Sequence, residues 1–193
     1  MLRNTLKIAV SGTNHTGKSC LCGAMTGRVL ETEYSCTIGV DLMVKHIIRK
    51  HDNISLQFWD LAGLNRFHSI IISYIRKCSV LIFCYSSEDY NSFLYIMDMY
   101  HQYKNCKYID DKHIIIVATK ADSKNATPGF EEWGQTFAKD KGFPFIKTSA
   151  YTKEGVEELT EACVKIPDTL VSPIIPEHKY VKKERRISYC CLI

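Results

Sequence analysis

The sequence predicts an α/β sandwich built on a mainly parallel sheet. Two observations carry that prediction. The runs "SVLIFCYS" (79–86) and "HIIIVAT" (113–119) are short and almost wholly apolar, as suits strands covered on both faces. Strand and helix signals also alternate along the chain, the pattern of helices connecting parallel neighbours.

Taken in order, "LKIAVSG" (6–12) reads as a buried strand, and a helical stretch begins at Lys18. "VDLMVKHII" (40–48) and "ISLQFWD" (54–60) flank the polar "RKHDN", so they form a hairpin. The two apolar runs and the shorter "FPFIKTSA" (143–150) complete the strands. Helical stretches fall at about 65–77, 91–106 and 129–141. A last helix carries Val156, Leu159, Ala162, Cys163 and Ile166 on one face. Pro167, Pro173 and Pro176 end the domain, which spans residues 1–170, and residues 171–193 read as a flexible basic tail.

The chain has 193 residues, 46% hydrophobic and 24% charged, which suits one domain with its own core. Its longest apolar run, "VLIFCY" (80–85), is far too short to cross a bilayer. The first residues, "MLRNTLKIAVSG", lack the apolar stretch and cleavage site of a signal peptide. Nine cysteines without CxxC spacing make neither a disulfide framework nor a zinc site, so a reducing compartment is expected. Net charge is +4, of which the stretch from Glu177 onward supplies +3. A nearly neutral body argues against nucleic-acid binding.

"GTNHTGKS" (12–19) fits GxxxxGK[ST] and lies between an apolar strand and a helix, where a phosphate loop must lie. Gly12 and Gly17 let the backbone wrap a phosphate. The N–H groups of His15, Thr16, Gly17, Lys18, Ser19 and Cys20 can point at its oxygens, aided by the helix dipole. Lys18 supplies a point charge to the β- and γ-phosphates, and the Ser19 hydroxyl can ligate Mg²⁺.

"TKAD" (119–122) chooses the base. Asp122 can accept two hydrogen bonds from guanine N1–H and N2–H₂. Adenine offers no such pair and would leave a carboxylate unsatisfied, at roughly 1–3 kcal/mol. The Lys120 stem can lie over the base, and "TSA" (148–150) offers the Ala150 N–H to guanine O6.

With these motifs assembled, residues 5–168 resemble a small GTPase of the Ras superfamily, most closely the Rab family. "TIGVD" (37–41) is similar to the Rab switch I signature, "WDLAG" (59–63) to the switch II entry, and "RFHSIIISY" (66–74) to the stretch that follows. The gap from Asp122 to Ser149 is too short for the extra helix of Rho proteins, although Thr119 in place of Asn is Rho-like. The resemblance implies a three-layer P-loop GTPase fold, with a six-stranded, mostly parallel sheet, one antiparallel strand and about five helices. It also implies GTP/GDP and Mg²⁺ as ligands. Ser19 and Thr37 would hold the metal, Asp60 would do so through water, and the Gly63 N–H would meet the γ-phosphate. Lys18, Thr37 and Gly63 are then the catalytic set.

Several positions depart from that pattern. Leu64 stands where the family places the Gln that orients the attacking water, and an isobutyl group can neither align water nor answer developing charge. Hydrolysis is therefore expected to be slow unaided, although Rab GAPs supply a Gln as well as an Arg. Leu61 replaces a Thr and adds packing. Asn14 projects towards the path of an arginine finger. His15 is either bulk over the phosphates or an exposed loop residue. Leu30 replaces the aromatic that covers guanine. Thr119 is shorter than Asn and is expected to brace the P-loop less well, and Tyr151 replaces a Lys. These three changes together predict looser guanine holding and faster exchange, while Ser149 and Ala150 keep the family pattern and complete the nucleotide-binding set.

The Rab effector face maps to Leu42, Trp59 and Tyr74, with sheet packing the other reading of Trp59. "YCCLI" places Cys190 and Cys191 where prenyl groups attach, beside a basic run suited to an anionic leaflet. The expectation is a monomeric, prenyl-anchored switch on the cytoplasmic face of endomembranes, with a cytosolic pool. Its partners would be effectors, an exchange factor, a GAP, prenyltransferase and escort proteins. The alternative is a non-hydrolysing scaffold held with GTP. A P-loop kinase or ATPase is disfavoured by "TKAD" with "TSA".

Overall fold

β1 (Asn4–Ser11) forms the middle of the sheet, and the other strands are laid down outward from it. The computed structural model describes residues 4–29, 36–48, 53–110, 112–165 and 172–173. The strand order is β2 (Val40–Ile48), β3 (Asn53–Leu61), β1, β4 (Val80–Ser86), β5 (His113–Thr119) and β6 (Phe145–Lys147). All neighbours along this path are parallel except β2 and β3, which pair antiparallel from Val40↔Leu61 to Ile48↔Asn53. Five helices connect the strands: α1 (Lys18–Thr26), α2 (His68–Ile75), α3 (Tyr90–Asn105), α4 (Phe130–Lys141) and α5 (Val156–Val164).

The three layers follow from alternation within β4. Leu81, Phe83 and Tyr85 face a core built with Ile75 of α2, Ile96 and Tyr103 of α3 and Phe137 of α4. Val80, Ile82 and Cys84 face a second core with Leu21 and Met25 of α1 and Leu159 and Cys163 of α5. Both faces of the strand are thus dry, which is why it reads as one apolar run. Each such fully buried side chain contributes about 1.5–3 kcal/mol.

Three features differ from the sequence reading. The helical stretch expected over 65–77 opens with a 3₁₀ turn, Asn65–Phe67, and α2 stops at Ile75. The strand expected over 143–150 is confined to Phe145–Lys147. Beyond it the Thr148 N–H bonds the Ala118 carbonyl at 2.7 Å, and Thr148–Ala150 leave the sheet to form a loop. Ser172–Pro173, read as part of the tail, form a two-residue strand, β7, antiparallel to Asn4 and Thr5 of β1. The physical reason is an open edge: β1 pairs β4 only from Ile8 onward, so its first residues have a free side.

Among the described residues no helix is long and apolar enough to cross a membrane.

Candidate functional site

The site lies at the carboxyl ends of the parallel strands, where β1, β3, β4 and β5 run out into loops, the usual crevice of an open α/β sheet. The loop after β1 passes close to β4. A Cβ on Gly12 would fall 2.3 Å from the Cys84 carbonyl oxygen, so only glycine fits there. His15 takes φ 61°, a left-handed conformation that a non-glycine residue adopts at about 1–2 kcal/mol. Gly17, at φ 79°, then turns the chain into α1.

Lys18, 6% exposed, points back into this loop and donates to the Thr13 carbonyl at 2.6 Å. Burial lowers the pKa of its ammonium, and the charge of Asp60 opposes that shift. Thr16 donates to the same carbonyl at 2.8 Å. The loop therefore closes around the Thr13 carbonyl.

Beside it, three oxygens from three segments converge. The Ser19 hydroxyl donates to Asp60 Oδ2 at 2.6 Å, Thr37 to the same oxygen at 3.2 Å, and the two hydroxyls lie 3.1 Å apart. The other carboxylate oxygen, Asp60 Oδ1, is buried without a hydrogen-bond partner among the described residues. Burial raises the carboxyl pKa, against the Ser19 hydrogen bond and the charge of Lys18. Two hydroxyls and a carboxylate with an unsatisfied oxygen form a hard, all-oxygen donor set, which fits Mg²⁺.

Gly63 follows Asp60 by three residues and lies directly against the loop. A Cβ there would sit 2.4 Å from the Asn14 backbone nitrogen. Leu64 is half-buried and shares a cleft of about 450 Å³ with Thr13, Asn14, Gly63 and Tyr95. Its side chain brings no polar atom to that place.

The loops that carry "TKAD" and "TSA" are stitched to the same core. The Thr119 hydroxyl, 3% exposed, lies within hydrogen-bond reach of the Thr16 and Tyr85 carbonyls, and so braces the phosphate loop. The short Thr119 side chain thus reaches the loop. β5 ends beside Gly17, whose Cβ position lies 3.9 Å from the Thr119 hydroxyl, so a longer reach is unnecessary. The Ala121 N–H bonds the Thr148 carbonyl at 3.0 Å, joining "TKAD" to "TSA". Ser149 is buried and accepts from the Thr152 N–H at 3.0 Å, while Ala150 is half-buried. Asp122 is exposed, and so is Tyr151, at 82%. Cys20 and His15 are exposed on the loop's outer side.

Leu42, Trp59 and Tyr74 also come together. Leu42 pairs with Trp59 across β2 and β3, and the Trp59 and Tyr74 rings meet edge to face at 5.0 Å. Trp59 is only 8% exposed, whereas Leu42 is 51% exposed. Sheet packing thus accounts for most of Trp59, and Leu42 carries the open surface. Leu30, Cys190 and Cys191 lie outside the described residues.

The sequence reading missed Glu88, which meets the Lys120 ammonium at 2.7 Å, and Ser87, which donates to the Lys120 carbonyl at 2.7 Å. A signal was present. Two adjacent parallel strands ending in register, Ser86 beside Thr119, must place the residues after each next to one another.

A family model described as the Ras family matches residues 7–167. The chain is 35% identical over 168 residues to the Ras-related protein Rab-18 of Caenorhabditis briggsae, covering 85% of this chain and 83% of that protein. It is 32% identical over 161 residues to the Ras-related protein Rab-4 of Dictyostelium discoideum, covering 83% and 78% respectively. To the Ras-related protein SEC4 of Saccharomyces cerevisiae it is 28% identical over 164 residues, covering 83% and 74%.

Proposed function

Since this chain belongs to the Ras family of small GTPases, with Rab proteins among its relatives, we propose that it is a Rab-like GTP-binding switch in vesicle traffic whose unaided hydrolysis is slow. The observation that carries the switch reading is the meeting of Ser19, Thr37 and Asp60. Thr37 belongs to the loop before β2 and is joined to the phosphate side by this polar contact. Such a segment can be held or released according to what occupies the site, which is how a nucleotide becomes a signal.

Each residue has a task that its chemistry allows. Lys18 and the N-terminus of α1 would receive the phosphates. Ser19 and Thr37 would hold Mg²⁺ directly and Asp60 through water, and the metal when bound supplies charge neutralisation at the β- and γ-phosphates. The Gly63 N–H, packed over the loop, would read the γ-phosphate. Asp122 and the Ala150 N–H would read guanine.

Slow hydrolysis rests on Leu64. Among the described residues, switch II lines the cleft with Gly63 and Leu64, neither of which has a polar side-chain atom to orient a water, and orientation with electrostatic stabilisation is most of what catalysis of this reaction consists of. The same observation favours a second reading, in which turnover is negligible and the protein acts as a GTP-bound scaffold. Effectors would dock around Leu42, beside the ring pair of Trp59 and Tyr74. Membrane attachment would come from prenyl groups on Cys190 and Cys191, helped by the basic run before them.

The test is to denature freshly purified protein and separate the released nucleotide by ion-exchange chromatography. GTP should dominate. A bound fraction made up mainly of GDP would contradict slow hydrolysis, and adenine nucleotides would overturn the guanine assignment.

A further inference from the structure

Asp122 is exposed, and among the described residues its carboxylate takes part in no hydrogen bond or ion pair, so nothing on its own side chain fixes its direction. That direction must come from its neighbours. The Ser123 N–H bonds the Lys120 carbonyl at 2.9 Å, closing a tight turn with Ala121 and Asp122 between the two ends. Lys120 enters the turn at φ 57°, the left-handed region, which a lysine occupies only when its surroundings hold it there.

Both ends of the turn are held by one side chain. Glu88 Oε2 meets the Lys120 ammonium at 2.7 Å, and Glu88 Oε1 accepts from the Ser123 hydroxyl at 2.5 Å. Ser87 adds its hydroxyl bond to the Lys120 carbonyl at 2.7 Å, so the Lys120 stem is fixed at its backbone and at its tip. Glu88 is itself anchored, because its N–H bonds the Ser86 hydroxyl at 3.3 Å and its neighbour Ser87 pairs backbone to backbone with Thr119 at 3.0 Å. The Lys120 and Glu88 side chains are 35% and 31% exposed and Glu88 lies at the surface, so water screens their attraction and the geometry of the bridge matters more than its charge.

We propose that Glu88 is a positioning residue for guanine recognition, bridging Lys120 and Ser123 so that Asp122 is presented at a fixed angle and the Lys120 stem forms a fixed apolar floor. The proposal rests on Asp122 reading guanine, as set out above. It assigns to a carboxylate on the β4–α3 loop a share of the base selectivity that the sequence motif locates wholly in residues 119–122.

The experiment compares release of GDP with release of IDP, which lacks the 2-amino group and so forgoes one of the two hydrogen bonds to Asp122. Fluorescent GDP and IDP are chased with excess unlabelled nucleotide in full-length protein carrying Mg²⁺. In the unmodified protein IDP should leave faster. Glu88→Ala should speed GDP release about threefold and shrink the IDP/GDP rate ratio about twofold, the range expected when a surface bridge of two hydrogen bonds is lost. Glu88→Gln, which keeps size and an acceptor, should lie between. A general loss of stability would speed both nucleotides alike and leave the ratio unchanged. An unchanged ratio in both variants overturns the role of Glu88. Equal release of GDP and IDP from the unmodified protein would instead overturn the assignment of guanine reading to Asp122.

Discussion

Thr119→Val removes one hydroxyl and nearly nothing else. Thr119 is 3% exposed, and valine keeps its β-branched shape, so the core between β4, β5 and the phosphate loop stays filled while the hydroxyl is lost. The hydroxyl proton serves two carbonyls, those of Thr16 and Tyr85, but can bond strongly to only one at a time. Its loss therefore costs one buried hydrogen bond, about 1.5 kcal/mol, with a carbonyl left short of a donor. Thr16 belongs to the loop that would cradle the phosphates, so most of that cost should appear in nucleotide holding. GDP release should speed up about tenfold. The assay is the dissociation of a fluorescent GDP analogue under excess unlabelled GDP, with Thr119→Ser, which keeps the hydroxyl, as the control. Release from Thr119→Val within twofold of the unmodified protein would show that the brace seen here does not hold the nucleotide.

Other perturbations test separate parts of the site. Asp122→Asn should weaken GTP and favour xanthine nucleotides, and an unchanged preference between GTP and XTP in competition binding would mean that the base lies elsewhere. Gly63→Ala places a Cβ 2.4 Å from the Asn14 nitrogen, so the segment after β3 must shift off the loop. GDP binding should survive, while the GTP-dependent change in tryptophan emission, reported by Trp59 close to this segment, should be lost; a full change would contradict the close packing. Replacing Cys190 and Cys191 together by Ser should release the protein from membranes in a flotation assay, and full retention would rule out prenyl anchoring.

The residues proposed to hold phosphate and metal could be picked out in the sequence because the signal is local. A strand, a glycine turn, Lys18 and Ser19 follow one another in sequence, and Asp60 ends an apolar strand. What escaped depends on pairing between distant segments. Glu88 and Ser87 matter only because β4 and β5 end in register, which no periodicity within either strand reveals. The contacts of Thr119 were not legible because side-chain length alone does not give the distance it has to span. Trp59 is an aromatic on an outer strand by sequence, but its burial follows from the ring of Tyr74, fifteen residues later in a different element. β7 was missed because two residues carry no pattern. The left-handed backbone of His15 was not legible, since that conformation is uncommon for any non-glycine residue even though histidine enters it more readily than most.

The central claim is that Leu64 leaves this switch without a group to position water. Its most direct test is single-turnover hydrolysis of bound GTP, without any activating protein, in the unmodified chain and in Leu64→Gln. Ras, with its Gln in place, turns over at roughly 3–5 × 10⁻⁴ s⁻¹. The unmodified protein should be slower than that, and Leu64→Gln should raise its rate at least several-fold. Equal rates in the two proteins would contradict the claim, and would mean that a different group, with His15 the first to substitute, orients the water.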